Sequence, residues 1–268
     1  QTYRRTGYRM MLVIVTDERG TDYGAQGEKL EQVIALARKF GVKIYCIGNA
    51  AVFGREKGYI LYRYPDGYTQ EWDVDQGPES VMMERLALPF WGTGGFGRRQ
   101  MSSGYGPYAL NRLCAESKGI YLIADEGRGL KFDPALMRAY QPDYRPIRVY
   151  VKALETNLAK QSLIKAAAVS RERKVPSLSL RFDADNDNVL RRELDQAQRP
   201  AAEYEARLRE LQAYLAAGEK DRPRLDEPRW QAGYDLAMGR VLALLVRTFG
   251  YNAMLAQACG SVLDRIEP

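Results

Sequence analysis

Few residues of this chain are of a type that could carry out catalysis. The 268-residue sequence contains no histidine, which removes the usual general base, the Ser-His-Asp triad and the commonest nitrogen ligand of zinc. Its three cysteines, Cys46, Cys114 and Cys259, are far apart in apolar stretches, as is typical of buried thiols rather than of a metal or redox pair. We therefore expect no enzyme activity, no catalytic residues and no cofactor-binding residues.

One glycine-rich pattern and one acidic pattern resemble ligand-binding motifs, but each lacks a feature that the motif requires. Gly92 to Gly97 fits G-x-G-x-x-G, but no strand precedes it and no helix follows, so a phosphate would find no helix N-terminus. Asp183 to Asp187 begins like a calcium loop, but Asn188 replaces the required glycine and Leu194 occupies the twelfth position. The first pattern predicts a flexible loop and the second predicts a cap for the next helix.

A third acidic group follows an apolar run and is the candidate for metal binding. Residues 10–16 read MMLVIVT, and Asp17 comes directly after them, with Glu18 and Asp22 close by. A carboxylate at the end of a strand suits a small hard cation. The alternative is that these acids are only solvated or cap the following helix.

The elements around Asp17 alternate between strand and helix. Apolar runs predict buried strands at 10–16, 43–48 and 120–124. Helical spacing of apolar residues predicts helices at 27–40 and 107–118, each followed by a capping glycine, Gly41 or Gly119. Strands joined by helices in this way form a parallel sheet. We therefore predict an α/β fold with a Rossmann-like parallel sheet, followed by a mainly α-helical C-terminal region.

The segment from 50 to 104 is too long for an ordinary loop and is predicted to be an insertion. Runs at 59–64 and 69–74 flank Pro65-Asp66-Gly67, which predicts a β-hairpin. Its aromatic side chains form a recognition surface or pack against their own domain, and the sequence leaves both open. They are Tyr59, Tyr62, Tyr64, Tyr68 and Trp72.

The chain beyond Asp133 is predicted to be helical. Asp133 can cap a short helix beginning at Pro134, and further helices are predicted at 147–170, at 188–217 with a break or kink at Pro200, and at 227–258. The last two are predicted to form an antiparallel hairpin used for docking or oligomerisation. We place one domain at 1–140 and the helical extension at 141–268.

Several stretches resemble one known family. LVIVTDERGTD (12–22) and VKIYCIGNAAVFGRE (42–56) resemble the second half of a von Willebrand factor A (vWA) domain. VDQGPES, SGYGPYALNRLC and GIYLIA resemble a bacterial branch with a long insertion, and WQAGYDLAMGRVLALLVRTFGYNAML resembles its helical tail. The likeness covers residues 1–140 well and the remainder weakly.

The resemblance implies a metal-ion-dependent adhesion site that holds magnesium. In that family the ion is bound by a DxSxS loop, a threonine and an aspartate in a Thr-Asp sequence. Thr16-Asp17 matches the last element, whereas DxSxS occurs nowhere in this chain. We therefore expect Asp17 to bind Mg²⁺ only with residues of a missing N-terminal half, and no metal to bind this chain alone. Gln1 to Gly7 reads as a helix end, which predicts that the chain begins inside a larger protein.

The expected function is protein–protein interaction or scaffolding through the vWA-like domain. The partner is expected to be another protein or the N-terminal segment of the same polypeptide, with a homo-oligomer through the C-terminal helices as a further expectation. The alternatives are a nucleotide-dependent enzyme or ATPase-associated subunit, and a nucleic-acid-binding protein using the net charge of +6. No uninterrupted apolar run reaches the roughly 20 residues that span a bilayer, so no membrane segment is expected.

Overall fold

The computed structural model describes residues 9–17, 28–53, 57–75, 77–88, 102–124, 133–172 and 178–266. They divide into two compact units. The first takes the described residues within 1–85, 90–156 and 227–229, and the second takes those within 86–89, 157–226 and 230–268. A three-stranded parallel sheet lies in the first unit and the C-terminal region is mostly helical, which confirms the predicted mixed α/β class.

The first unit contains five strands, four α-helices and the 3₁₀ helix Arg138–Tyr140 among the described residues. In chain order the strands and α-helices are β1 (Met11–Val15), α1 (Glu28–Phe40), β2 (Lys43–Gly48), β3 (Lys57–Arg63), β4 (Thr69–Asp75), α2 (Tyr108–Glu116), β5 (Tyr121–Ile123), α3 (Pro134–Met137) and α4 (Ile147–Glu155). The parallel sheet has the order β1-β2-β5, and β3 pairs with β4 in a separate antiparallel hairpin. The predicted parallel sheet and hairpin are both confirmed.

Helices α1 and α2 build the core against one face of the parallel sheet. The buried cluster consists of Ile34, Ala37, Ile44, Cys46, Leu113 and Cys114. Burial raises the pKa of both the Cys46 and the Cys114 thiol to about 11, because a thiolate loses its hydration in an apolar core. The prediction that these cysteines are buried thiols is confirmed.

The turn between α2 and β5 differs from the prediction. Lys118, not Gly119, has the left-handed backbone conformation, with φ of 62°. Gly119 is needed for a different reason, because a Cβ there would collide with the backbone carbonyl of Ile44. This close approach brings the end of α2 onto β2, where the Ile44 amide donates to Ser117 Oγ at 3.1 Å.

Strand β1 also differs from the prediction. Its continuous apolar sequence predicted burial on both faces, but Met11 is 66% and Val15 is 75% exposed. The reason is topological, since β1 lies at the edge of the sheet and pairs only with β2 among the described strands.

The second unit is built from three long helices and a 3₁₀ helix. These are α5 (Leu158–Glu172), α6 (Asp187–Ala216), the 3₁₀ helix Glu219–Arg224 and α7 (Pro228–Ile266) from residue 230 onward. The predicted antiparallel hairpin of α6 and α7 is confirmed by three hydrogen bonds between the helices. Along them, the residue numbers decrease on α6 while they increase on α7. The hydrogen bonds join Leu215 to Tyr234, Glu205 to Asn252 and Gln198 to Cys259.

One helix boundary was predicted wrongly, and of the two effects predicted for Pro200, a break or a kink, the break is contradicted. The helix expected over 147–170 is two helices, because Asn157 accepts a hydrogen bond from the Ala159 amide at 2.9 Å and so caps the start of α5. Pro200 lies inside α6 without ending it. A proline removes one hydrogen bond of the ladder, and in α6 the apolar contacts on both sides of Pro200 outweigh that loss, since Ala197, Ala201 and Tyr204 are all buried.

Helix α7 has a composition that the apolar runs did not suggest. The stretch Pro228–Leu263 is long and apolar enough to cross a membrane, and 33% of its most apolar window is buried in the protein. Core helices of globular proteins pass the same test of length and composition, so the stretch carries no assignment to a membrane.

The buried stripe of α7 gives a test of the helical hairpin. Val241 and Leu245 are 0% and 5% exposed, so Val241→Asp combined with Leu245→Asp places two carboxylates in an apolar contact and should unfold the second unit. Circular dichroism should show a large loss of helix. As a matched control, Leu242→Asp with Val246→Asp changes exposed positions of the same helix and should leave helicity near that of the wild type. Unchanged helicity and unchanged mass in the first variant would contradict the packing.

Candidate interaction surface

No described strand pairs with the backbone groups on the outer edge of β1. Lys43 N donates to Met10 O and Thr16 N donates to Ile47 O, both at 3.1 Å, so the even-numbered residues of β1 face β2. In a parallel ladder the intervening residues direct their N–H and C=O groups to the opposite side. The described part of the chain contains no strand there. The edge is therefore a ready template for another strand.

The same strand contributes to an apolar face that no described helix covers. The register aligns Val13 with Tyr45, Val15 with Ile47, and Ile47 with Leu122, which places these side chains on the face opposite the buried core. Val13 is 47% and Leu122 is 49% exposed. We call this surface the open face; it consists of Met11, Val13, Val15, Tyr45, Ile47 and Leu122. Parallel sheets normally bury both faces, so an exposed apolar surface of this kind is a candidate for binding.

Asp17 lies at the carboxyl end of β1, as predicted, and is exposed. Beside it Gly48 is tightly packed, because a Cβ there would collide with Thr16 O and the Tyr121 hydroxyl. Among the residues described, no group of three or more acidic or cysteine side chains could hold a metal ion. Glu18 and Asp22 lie outside the described residues. Asp17 therefore contributes a single carboxylate at this edge.

The β3–β4 hairpin has an aromatic face that is largely exposed. Register places Tyr62 opposite Gln70 and Ile60 opposite Trp72, so Tyr62 and Trp72 share one face. Tyr62, Tyr68 and Trp72 are 51%, 62% and 48% exposed, and the Tyr62 and Tyr64 rings meet edge to face at 4.8 Å. Of the two alternatives left by the sequence, exposure fits a recognition surface better than internal packing. The side chain of Tyr59 lies outside the described part.

The two motif-like patterns carry no binding geometry. Gly92 to Gly97 lies outside the described residues. In the acidic run from Asp183 to Asp187, Asn186 Oδ1 accepts a hydrogen bond from Val189 N at 2.9 Å and is the N-cap of α6. The prediction that this run caps the helix is confirmed.

A buried ionic cluster in the first unit was not predicted from the sequence. Arg229 donates to Glu79 Oε1 at 2.9 Å and to Glu84 Oε2 at 2.7 Å, and all three side chains are at most 6% exposed. Glu84 Oε1 also accepts hydrogen bonds from Ser80 Oγ at 2.8 Å and the Tyr150 hydroxyl at 2.9 Å. Carboxylates and arginine are rarely buried unless paired, and here each has a partner.

The charged groups of this cluster shift one another's pKa values in the direction that keeps the ion pairs intact. Burial alone would lower the pKa of Arg229, but the Glu84 and Glu79 carboxylates outweigh it and raise that pKa above its ordinary value. Burial, followed by the negative charge of Glu84, raises the pKa of Tyr150, so its hydroxyl remains a donor. The groups are enclosed and mutually satisfied, which indicates a structural role in fixing the 77–88 segment. The only sequence signal was a pair of glutamates in an apolar stretch.

Comparison with known proteins adds no information to the geometry described above. No protein-family model, no curated protein and no solved structure matches this chain. The likeness to vWA domains therefore stays a prediction, and a function has to be inferred from the surfaces described above.

Removing the arginine of the buried ionic cluster should destabilise the protein far more than removing the arginine of an exposed ion pair. Arg229→Ala leaves two buried carboxylates without their cation and should lower the free energy of unfolding by about 3–5 kcal/mol. The control Arg38→Ala breaks an exposed pair with Glu116 and should cost less than about 1 kcal/mol. Chemical denaturation of both variants measures the difference. Adding Glu79→Gln and Glu84→Gln to Arg229→Ala should recover part of the loss. Equal effects of the two arginine substitutions would contradict this account.

Proposed function

We propose that this protein is a protein-binding or scaffolding module built on a vWA-like α/β domain, and that it binds through the outer edge of β1 and the open face. The observation that supports this proposal most strongly is the edge position and exposure of β1. An apolar strand with a sequence typical of the centre of a sheet lies at an edge, with Met11 and Val15 mostly exposed.

The chemistry of this surface favours a polypeptide partner over a small molecule. The outward N–H and C=O groups of Met11, Val13 and Val15 repeat at the spacing of a β-strand, and only an extended backbone matches several of them at once. The open face beside them is apolar and requires an apolar cover, such as one side of an amphipathic helix. A strand followed by such a helix would satisfy both. It can belong to a separate protein or to a further segment of the same polypeptide.

A role for magnesium is a subordinate part of the proposal. The described residues do not fit a magnesium site by themselves, because Asp17 is a single exposed carboxylate, and protein-bound Mg²⁺ needs further oxygen ligands in octahedral geometry. Asp17 would serve as one ligand where the bound segment supplies the others. If that segment brings no oxygen ligands to this edge, binding proceeds without metal.

A site-specific cross-linking experiment tests the proposed binding surface. A photoreactive phenylalanine analogue at position 13 or 15 should capture the partner in cells, whereas the same group at position 33, on exposed Val33 of α1, should not. The captured protein is then purified and its affinity measured. Val13→Glu with Val15→Glu should weaken binding roughly 100-fold or more, because burial of each valine contributes about 1.5–3 kcal/mol.

The control for this experiment is Val33→Glu, which should bind like the wild type. Chelation of Mg²⁺ and Asp17→Ala should have matching effects, both large if the bound segment completes a metal site and both negligible if it does not. Unaltered affinity of the Val13→Glu, Val15→Glu variant would contradict the proposal. So would a partner that is captured equally from position 33.

A further inference from the structure

Helix α7 has a second apolar face, opposite the stripe that packs in the second unit. Every residue on it is exposed, with Val246 70% and Phe249 49% exposed. We call these twelve residues the α7 seam: Leu236, Gly239, Leu242, Ala243, Val246, Phe249, Gly250, Ala253, Ala256, Gln257, Gly260 and Leu263. None of them is charged. The face is about 40 Å long, and at one margin the Arg209 guanidinium of α6 lies 5.1 Å from the centre of the Phe249 ring.

The spacing of the seam is that of a coiled coil. Its central line alternates steps of three and four residues from Leu236 to Gly260, which gives the a and d positions of four heptads, and Leu242, Phe249, Ala256 and Leu263 fill the g positions. Small residues dominate the a and d layers. A Cβ placed on Gly239, Gly250 or Gly260 would meet nothing within 4 Å. Another helix can therefore approach the α7 backbone closely.

The sizes of the side chains are complementary to a second copy of the same seam running in the opposite direction. When the two-fold axis crosses the helix pair at the level of residue 248, Val246 faces Gly250 of the other copy, and Leu236 faces Gly260. Each layer then pairs an a with a d position, as antiparallel packing requires. A parallel pair would instead stack glycine on glycine and leave voids, which cost packing energy. Antiparallel helices also oppose their dipoles favourably.

We infer that the α7 seam is the interface of an antiparallel homodimer, in which two α7 helices pack against each other. This inference does not depend on the proposed function of the sheet. Twelve residues a side are about half of the 20–30 in a standard interface, so the dimer should be reversible, with a dissociation constant in the micromolar range. A bilayer is a poorer occupant, because Arg240 and Arg247 lie along the e side of the seam and charges in hydrocarbon are costly.

Sedimentation over a range of about 1 to 300 µM, wide enough to cross a micromolar transition, tests the dimer in the full chain. The wild type should shift from monomer to dimer with concentration. Val246→Glu should weaken the association at least about tenfold, since it places a charge in the central layer, without disturbing the fold at a position 70% exposed. The matched control Leu180→Glu changes a leucine that is 53% exposed and outside α7, and should associate like the wild type.

Engineered cysteines test the direction of the pair. In the antiparallel arrangement Ala243 faces Ala253 of the other copy, so a mixture of Ala243→Cys and Ala253→Cys chains should form a mixed disulfide on mild oxidation. Each variant alone should link poorly. The native cysteines are all buried and do not interfere.

Four results would overturn the inference. They are a wild type that stays monomeric throughout, a dimer that Val246→Glu leaves intact, efficient self-linking of Ala243→Cys alone, which shows a parallel pair, and binding to phosphatidylcholine vesicles without self-association.

Discussion

A parallel sheet is stable when apolar layers cover both of its faces and every strand has its backbone groups paired. The first unit meets this requirement only in part. Helices α1 and α2 cover one face over Ile44 and Cys46, and β2 is paired on both sides. Strand β1 keeps a free edge, and the open face stays uncovered by the described residues. The proposed binding function is inferred from this imbalance, because an extended polypeptide matches both the free strand edge and the apolar face.

The elements were predictable because their signals are local. Continuous apolar runs, helical spacing of apolar residues and turn residues placed the sheet strands, the hairpin at Gly67 and the α6–α7 pair within a few residues. Burial was not predictable in the same way. The sequence of β1 reads as a central strand, and only the position of its neighbours shows that Met11 and Val15 are exposed. The resemblance to vWA domains supplied one candidate ligand, Asp17.

Contacts between distant residues account for most of what the sequence did not indicate. Arg229 and Glu84 are separated by 145 residues, so no local pattern announces their pairing. The left-handed residue at Lys118 and the collision that requires Gly119 depend on where β2 lies. On α7 the buried stripe was visible as apolar spacing, but the exposed seam became apparent only once the side packed in the second unit was known, since glycine and alanine give little signal by themselves.

The proposed binding surface requires that the outer edge of β1 is open, and amide hydrogen exchange measured residue by residue tests this most directly. The amides of Leu12, Ile14 and Thr16 face β2 and should be protected. Those of Met11, Val13 and Val15 point outward and should exchange close to the rate of an unfolded chain. This alternation is the predicted result for the chain by itself. Equal protection of all six amides would show that the edge is already paired and would contradict the account.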